Sequence, residues 1–185
     1  MTGHPEAADG GHASDPNAVV RYTVWAVYAR TGVDLEGPEA AARELSAWTD
    51  RLAARDVVLR GFYDVSGMRP GADVMLWLHG PSAESLQAVL REFRRTRAGA
   101  VTDLAWSAMG THRPAEFSRV QANTVAAFAL NDWEWILALE ADDLHDLVDL
   151  MRDLRSTQAR RHVREEVPFH TGRLIEAAGV VDVLR

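Results

Sequence analysis

The chain repeats itself, and the second copy of the repeat is incomplete. Residues 74–99 read VMLWLHGPSAESLQAVLREFRRTRAG, and residues 135–160 read WILALEADDLHDLVDLMRDLRSTQAR. A constant offset of 61 positions aligns the two segments without a gap, and Leu86 then coincides with Leu147. Each copy has the pattern of one strand, a short turn and one amphipathic helix. Such a unit cannot bury its apolar face alone, so the repeat predicts two stacked halves.

The first half carries a full set of elements. Residues 19–30 are apolar on both alternating faces, which predicts a strand that is covered on both sides. A helix is predicted from Pro38 to Arg55, and a second helix follows Ser82, a suitable N-cap. Three further strands are predicted over 57–65, 74–80 and 104–114. The order β-α-β-β-α-β is that of a ferredoxin-like unit.

The second half begins with the counterpart of the second strand of the first half. Its strands are predicted over 123–132 and 133–140, its helix over 142–157 and a closing segment over 164–172. Nothing corresponds to the first strand and first helix, so by the logic of the repeat about 40 residues are missing. An open sheet edge and an uncovered apolar face should follow.

The predicted fold class is therefore α+β, with two ferredoxin-like halves of which the second lacks its first strand and helix. The predicted organisation is a disordered tail over 1–17, a first half over 18–118, an incomplete second half over 119–176 and a C-terminal tail over 177–185.

Composition limits the class of protein and its partners. A net charge of -7 argues against a nucleic-acid partner, because phosphate binding needs a basic surface. The absence of cysteine excludes disulfides and thiolate metal sites. No apolar run approaches the roughly 20 residues that span a bilayer, and the N-terminus does not resemble a secretory signal. A cytoplasmic enzyme or binding protein is expected.

Several segments resemble a known family. They are RYTVWAVY, GFYDVSGMRPGADVMLWLHG, THRPAEF, ANTVAAFALNDWEW, LEADDL, DLMRDLR and ARRHVREEVPFHTGR. Together they are similar to the coproheme decarboxylases, the actinobacterial haem-synthesis branch of the chlorite dismutase family, from about Arg21 to Arg173. The resemblance implies a dimeric α+β barrel, usually assembled as a homopentamer. It also implies peroxide-dependent oxidative decarboxylation of two propionates of iron-coproporphyrin III, giving haem b.

The chain departs from the family pattern between THRPAEF and ANTV. Family members carry there a distal His, the radical-forming catalytic Tyr and the proximal His that ligates iron. Those positions do not exist in this sequence, so the resemblance assigns no catalytic residue and no metal ligand. Two cofactor-binding positions are carried over: Ala122 matches a distal-side pocket position, and Arg160 aligns near the helix end where some relatives contact a propionate with Ser. The implied partners are iron-coproporphyrin III or haem b, hydrogen peroxide and further copies of the chain.

Other conspicuous residues are interpreted first as structural. Arginines at the C-terminal ends of both repeated helices suit the helix dipole and nearby carboxylates, with a clamp on propionates as the alternative. The tryptophans on the strands are expected to pack in the core rather than against a porphyrin. His162 and His170 lie in an arginine-rich segment and are expected to be structural rather than iron ligands.

Three interpretations of the missing segment remain open. If the working protein contains it, the function is decarboxylation of iron-coproporphyrin III. If the chain is truly short, it is a non-catalytic relative that binds a porphyrin or assembles with another protein. The third interpretation is a barrel module that binds another small ligand without haem.

Overall fold

The structure is a computed structural model, and it describes residues 21–112 and 121–185. The predicted tail over 1–17 and the junction between the two halves, at 113–120, lie outside these ranges. The strands are β1 (Arg21–Arg30), β2 (Val58–Asp64), β3 (Val74–Gly80), β4 (Thr102–His112), β5 (Gln121–Ala126), β6 (Trp135–Glu140) and β7 (Arg173–Ile175). The helices are α1 (Pro38–Leu52), α2 (Ala83–Phe93), α3 (Arg97–Ala100), α4 (Leu144–Ser156) and α5 (Ala177–Leu184), with short 3-10 helices at Ala53–Arg55 and Gln158–His162.

The strands form one antiparallel sheet in the order β6-β5-β4-β1-β3-β2-β7. Its centre, β4-β1-β3-β2, has the strand order of a ferredoxin-like unit. Strands β5, β6 and β7 occupy the places of the second, third and last strands of a second such unit. The first strand of that unit would lie between β6 and β7, and no strand of the described ranges occupies this place. The predicted fold class, α+β with ferredoxin-like topology, is confirmed.

Strand β1 is covered on both faces, as its sequence predicts. Val24, Ala26 and Tyr28 lie in the larger core cluster, which the helices of the first half cover. Trp25 and Val27 lie in a second cluster on the opposite, inner face of the sheet. Because side chains alternate along a strand, one apolar segment joins the two cores.

The chain ends in the core of the first half. Residues 177–185, interpreted from the sequence as a C-terminal tail, contain α5, whose Val180, Val181 and Leu184 are fully buried. The closing segment predicted over 164–172 contains no strand; β7 follows it directly and pairs with β2. Pro168 in that segment has no backbone N–H to donate to a ladder. The remaining domain boundaries stay a prediction.

Candidate functional site

The outer side of the second half is apolar and uncovered. In the first half, Val74 and Leu76 of β3 are fully buried beneath the helices. Their counterparts in the repeat are Trp135 and Leu137 of β6, which are 53% and 46% exposed. No described element takes the place of α1 over β6. The predicted uncovered face is therefore present, and its cause is the missing helix.

Helix α4 shows the same asymmetry. Its counterpart α2 buries Leu86, Val89 and Phe93, whereas α4 has no buried residue. The apolar side chains of α4 that are exposed are Leu144, Val148 and Leu154. We call Trp135, Leu137 and these three residues the open face. Monomeric proteins seldom expose apolar residues in such a group, so the open face is a candidate binding surface.

Helix α4 is nevertheless capped as its sequence predicts. Two aspartates, Asp142 and Asp143, precede the helix, and Asp143 is the cap: its Oδ1 accepts a hydrogen bond of 2.8 Å from the backbone N–H of His145. This hydrogen bond, with help from the His145 side chain, lowers the pKa of the Asp143 carboxyl. The cap plays the role that Ser82 plays for α2.

The two site residues carried over from the family lie on the two elements that flank the open face. Ala122 lies on β5, where it is the register partner of Leu139 on β6. Arg160 lies in the 3-10 helix Gln158–His162 that follows α4, is partly exposed, and donates a hydrogen bond of 3.0 Å from Nη1 to the carbonyl of Val163. Contact of either residue with a ligand remains a prediction.

The arginines of α4 support the structural interpretation. Arg152 forms an ion pair of 2.8 Å with Asp149, and Arg155 one of 3.1 Å with Glu166. Both ion pairs lie near the surface, where each such pair contributes less than about 1 kcal/mol to the free energy of unfolding.

The tryptophans on the strands do not all pack in the core, contrary to the expectation from the sequence. Trp25 and Trp77 are buried with ring centroids 5.4 Å apart, which confirms core packing for them. For Trp135 the core interpretation is wrong, because the residue is 53% exposed; its ring lies nearly perpendicular to that of Phe128, with centroids 5.2 Å apart. An exposed indole beside an exposed phenyl ring extends the apolar surface of the second half.

A polar cluster on the inner face was missed by the sequence analysis. Glu140 of β6 forms an ion pair of 2.6 Å with Arg60 of β2 and accepts a hydrogen bond from the hydroxyl of Tyr63. The Arg60 guanidinium lies 5.6 Å from the centroid of the Trp77 ring. Burial, and then the hydrogen bond to Glu140, raise the pKa of Tyr63. We call Arg60, Tyr63, Trp77 and Glu140 the inner cluster.

One signal for this cluster was available in the sequence. Ile136, Ala138 and Glu140 alternate along β6, and the first two belong to the inner apolar cluster. A carboxylate in that row needs a partner across the sheet. The sequence alone did not say which partner, since Arg60 is 80 positions away.

His170 also lies on the inner side. Its ring stacks at a tilt against Trp106, with centroids 4.7 Å apart, and neither ring nitrogen has a hydrogen-bond partner. Burial, and then the charge of Arg69, lower the pKa of the His170 imidazole. Within the described ranges, no group of three or more metal-ligating side chains is assembled.

Comparison with known proteins gives the family. A family model described as "Chlorite dismutase" matches residues 38–119 and 115–175. The coproheme decarboxylase of Mycolicibacterium smegmatis is 37% identical over 218 residues, covering 89% of this chain and 94% of the relative. This chain belongs to the chlorite dismutase family.

Solved structures agree on the fold. A mutant chlorite dismutase from Candidatus Nitrospira defluvii in complex with cyanide matches with a TM-score of 0.78 at 15% identity, over 89% of this chain and 95% of that one. The chlorite dismutase of the same organism in complex with imidazole matches with a TM-score of 0.77 at 15% identity, over 89% and 94% of the two chains. None of the helices in the described ranges has the length and apolar character to cross a bilayer.

Two details of these comparisons bear on the incomplete second half. The two matches of the family model meet at residues 115–119, where the repeat predicts that elements are missing. The alignment with the M. smegmatis protein spans 218 residues, more than the 185 of this chain, so part of the relative has no counterpart here.

Proposed function

We propose that this chain acts in haem biosynthesis and that its open face binds iron-coproporphyrin III. The observation that carries the proposal is the exposure of Trp135 and Leu137 at positions whose counterparts in the first half are fully buried. The named relative, a coproheme decarboxylase, supports the choice of ligand.

The apolar part of the ligand fits this face. A porphyrin is a flat, largely apolar ring, and it gains free energy by leaving water against apolar and aromatic side chains. The open face offers an indole and a leucine on β6 and a stripe of aliphatic side chains on α4.

The carboxylate part of the ligand fits Arg160. Guanidinium groups bind carboxylates through charge-assisted hydrogen bonds, and the Arg160 side chain donates from Nη1 to the carbonyl of Val163 within the described part of the chain. We assign Arg160 to a propionate.

The residues of the open face include no imidazole that would hold the iron. Ligation needs an imidazole within the site. The side chain of His145 is 92% exposed, and His162 is exposed as well. His79 lies on β3 of the first half, and His170 packs on the inner face against Trp106. We therefore derive binding of the porphyrin from these residues and no step at its iron.

The second candidate function is peroxide-dependent decarboxylation by this chain itself, giving haem b. One observation favours it: the coproheme decarboxylase that is 37% identical matches over 94% of its length. Iron would then supply peroxide chemistry to the two propionates that are lost. The described residues contribute the apolar face and Arg160 to such a reaction.

Titration of the purified chain with iron-coproporphyrin III tests the proposal. We expect a shifted Soret band and saturable binding. Leu137→Asp should weaken binding, because it places a charge on the open face. The matched control is Val33→Asp, since Val33 is also an exposed apolar residue, at 59% against 46% for Leu137, but lies in the first half. Absence of saturable binding, or equal weakening by both variants, would overturn the proposal.

Addition of hydrogen peroxide to the complex separates the two candidate functions. If the chain only binds, the pigment recovered by chromatography is unchanged coproporphyrin. Appearance of haem b with loss of two carboxylates would establish decarboxylation. Arg160→Gln should weaken binding of iron-coproporphyrin III more than that of a porphyrin with two propionates.

We further propose that the protein works in the cytoplasm as a homo-oligomer, a pentamer by its resemblance to the family. Light scattering on the purified chain measures its mass, and a monomer at the concentration of the binding assay would contradict this part.

A further inference from the structure

The inner cluster holds a buried tyrosine whose hydroxyl proton already has an acceptor. Tyr63 is 6% exposed, and its hydroxyl donates to Oε1 of Glu140. The other carboxylate oxygen, Oε2, accepts a hydrogen bond of 2.8 Å from Nε of Arg60 and forms an ion pair of 2.6 Å with Nη2 of the same side chain. The carboxylate is thus fixed in place, with one oxygen directed at the phenol.

Two buried indoles continue from this tyrosine across the sheet. The ring centroids of Tyr63 and Trp77 are 6.3 Å apart, and those of Trp77 and Trp25 are 5.4 Å apart. All three side chains belong to the inner apolar cluster. The indole Nε1 of Trp77 donates to the hydroxyl of Thr23 at 3.0 Å, which fixes the orientation of the middle ring. Aromatic rings at these separations exchange electrons readily.

We propose that Tyr63 is a redox site, at which one-electron oxidation of the Trp25–Trp77 pair ends as a neutral tyrosyl radical. A strong one-electron oxidant removes an electron from the indole pair. Tyr63 returns one electron to Trp77, and its phenolic proton passes to Oε1 of Glu140. The products are a tyrosyl radical and a neutral carboxylic acid, and a one-electron reductant with return of the proton restores the starting state. The proposal does not depend on porphyrin binding.

The charges around the inner cluster favour a neutral radical on Tyr63 over a cation radical on Trp77. Arg60 lies over the ring of Trp77, and a cation there destabilises a positive charge on that indole. Oxidation of Tyr63 with transfer of its proton leaves no charge on the ring. The electron hole is therefore more stable on Tyr63 than on Trp77.

The chain contains its own controls, because it has only three tyrosines. Tyr28 is also fully buried and contacts an aromatic ring, that of Phe93 at 4.8 Å. Among the described residues its hydroxyl has no hydrogen-bond partner, however, so none of them places a base to take the proton. Tyr22 is only partly buried, at the start of β1. Burial alone thus does not distinguish Tyr63; the carboxylate does.

The test is photo-oxidation of the full chain by a ruthenium tris-bipyridine complex with persulfate, followed by freezing and electron paramagnetic resonance. We expect a tyrosyl signal in the parent chain, in Tyr28→Phe and in Tyr22→Phe, and its loss in Tyr63→Phe. A tyrosyl signal of unchanged yield in Tyr63→Phe would overturn the proposal. So would its loss in Tyr28→Phe alone.

A second measurement separates a proton acceptor from a structural carboxylate. Glu140→Gln keeps the size of the side chain and an oxygen that accepts a hydrogen bond, but it removes the base. The radical yield should fall about 100-fold or more, the lower end of the range expected for loss of a positioned base. Glu92→Gln, which removes the surface partner of Arg55, is the matched control and should leave the yield unchanged.

A solvent isotope effect keeps the test decisive if Glu140→Gln does not fold. Formation of the radical in the parent chain should be slower in D₂O than in H₂O, because a proton moves with the electron. A rate that is equal in the two solvents would overturn the transfer to Glu140. Circular dichroism of each variant shows whether it is folded.

Discussion

Truncation of one leucine in each copy of the repeat measures how far the two halves differ. Leu86 of α2 and Leu147 of α4 are the same residue at the same place in the repeat. Leu86 is completely buried, and Leu147 is partly exposed on a helix with no buried residue. Leu86→Ala should lower the free energy of unfolding by about 2–5 kcal/mol, the usual result for a buried leucine that leaves a cavity. Leu147→Ala leaves no closed cavity and should cost about 1 kcal/mol or less.

Urea denaturation followed by circular dichroism measures both changes, with the parent chain alongside. The difference of at least about 1 kcal/mol between the two variants corresponds to a shift of several tenths of a molar in the urea midpoint. Equal losses would refute the reasoning, because they would mean that the apolar stripe of α4 is covered in solution. In that case the open face is an interface and not a free binding surface. Saturation with iron-coproporphyrin III should raise the cost of Leu147→Ala if that ligand covers the stripe.

Three side chains of the described residues give further testable changes in stability. Leu184→Ala should lower the free energy of unfolding by about 2–5 kcal/mol in the same urea assay, because the Leu184 side chain is fully buried although it lies one residue from the end of the sequence. A loss as small as that of an exposed residue would contradict the packing of α5. The lowered pKa of His170 means that the folded chain binds this proton less readily than the unfolded one, so stability should fall as pH drops below about 6.5, and His170→Phe should flatten this part of the profile. Burial, partly offset by Arg94, raises the pKa of Tyr28 to about 12, so stability should fall between about pH 10 and about pH 12. Tyr28→Phe should reduce that fall, and the raised pKa of Tyr63 accounts for a further part of it; the sequence has no lysine that would titrate in the same range. Urea denaturation across this pH range measures the change.

Much of the fold could be predicted from the sequence, because its signals are local. Alternation over residues 19–30 predicted a strand covered on both sides, and Ser82 predicted the start of α2. The offset of 61 positions predicted which elements the second half has and which it lacks. These patterns depend on residues within one or two turns or one strand of each other, so the chain carries them before it folds.

The candidate site could be predicted only in part. The repeat predicted an uncovered apolar face, but the exposure of Trp135 came as a correction, since its pattern is that of a buried strand residue. The contact of Glu140 with Arg60 and Tyr63 was not predicted at all. It joins strands that are far apart in the sequence and five places apart in the sheet order. Such a contact depends on how the sheet curls, which no local pattern records.

The sequence by itself determined the order of the elements, their apolar faces and the place at which the second half is interrupted. The tertiary structure decided that α5 returns to the core of the first half, that β7 pairs with β2, and that Glu140 meets Tyr63 across the inner face. The physical reason is that periodicity and capping act between neighbours in the chain. Strand pairing and burial act between segments that only folding brings together.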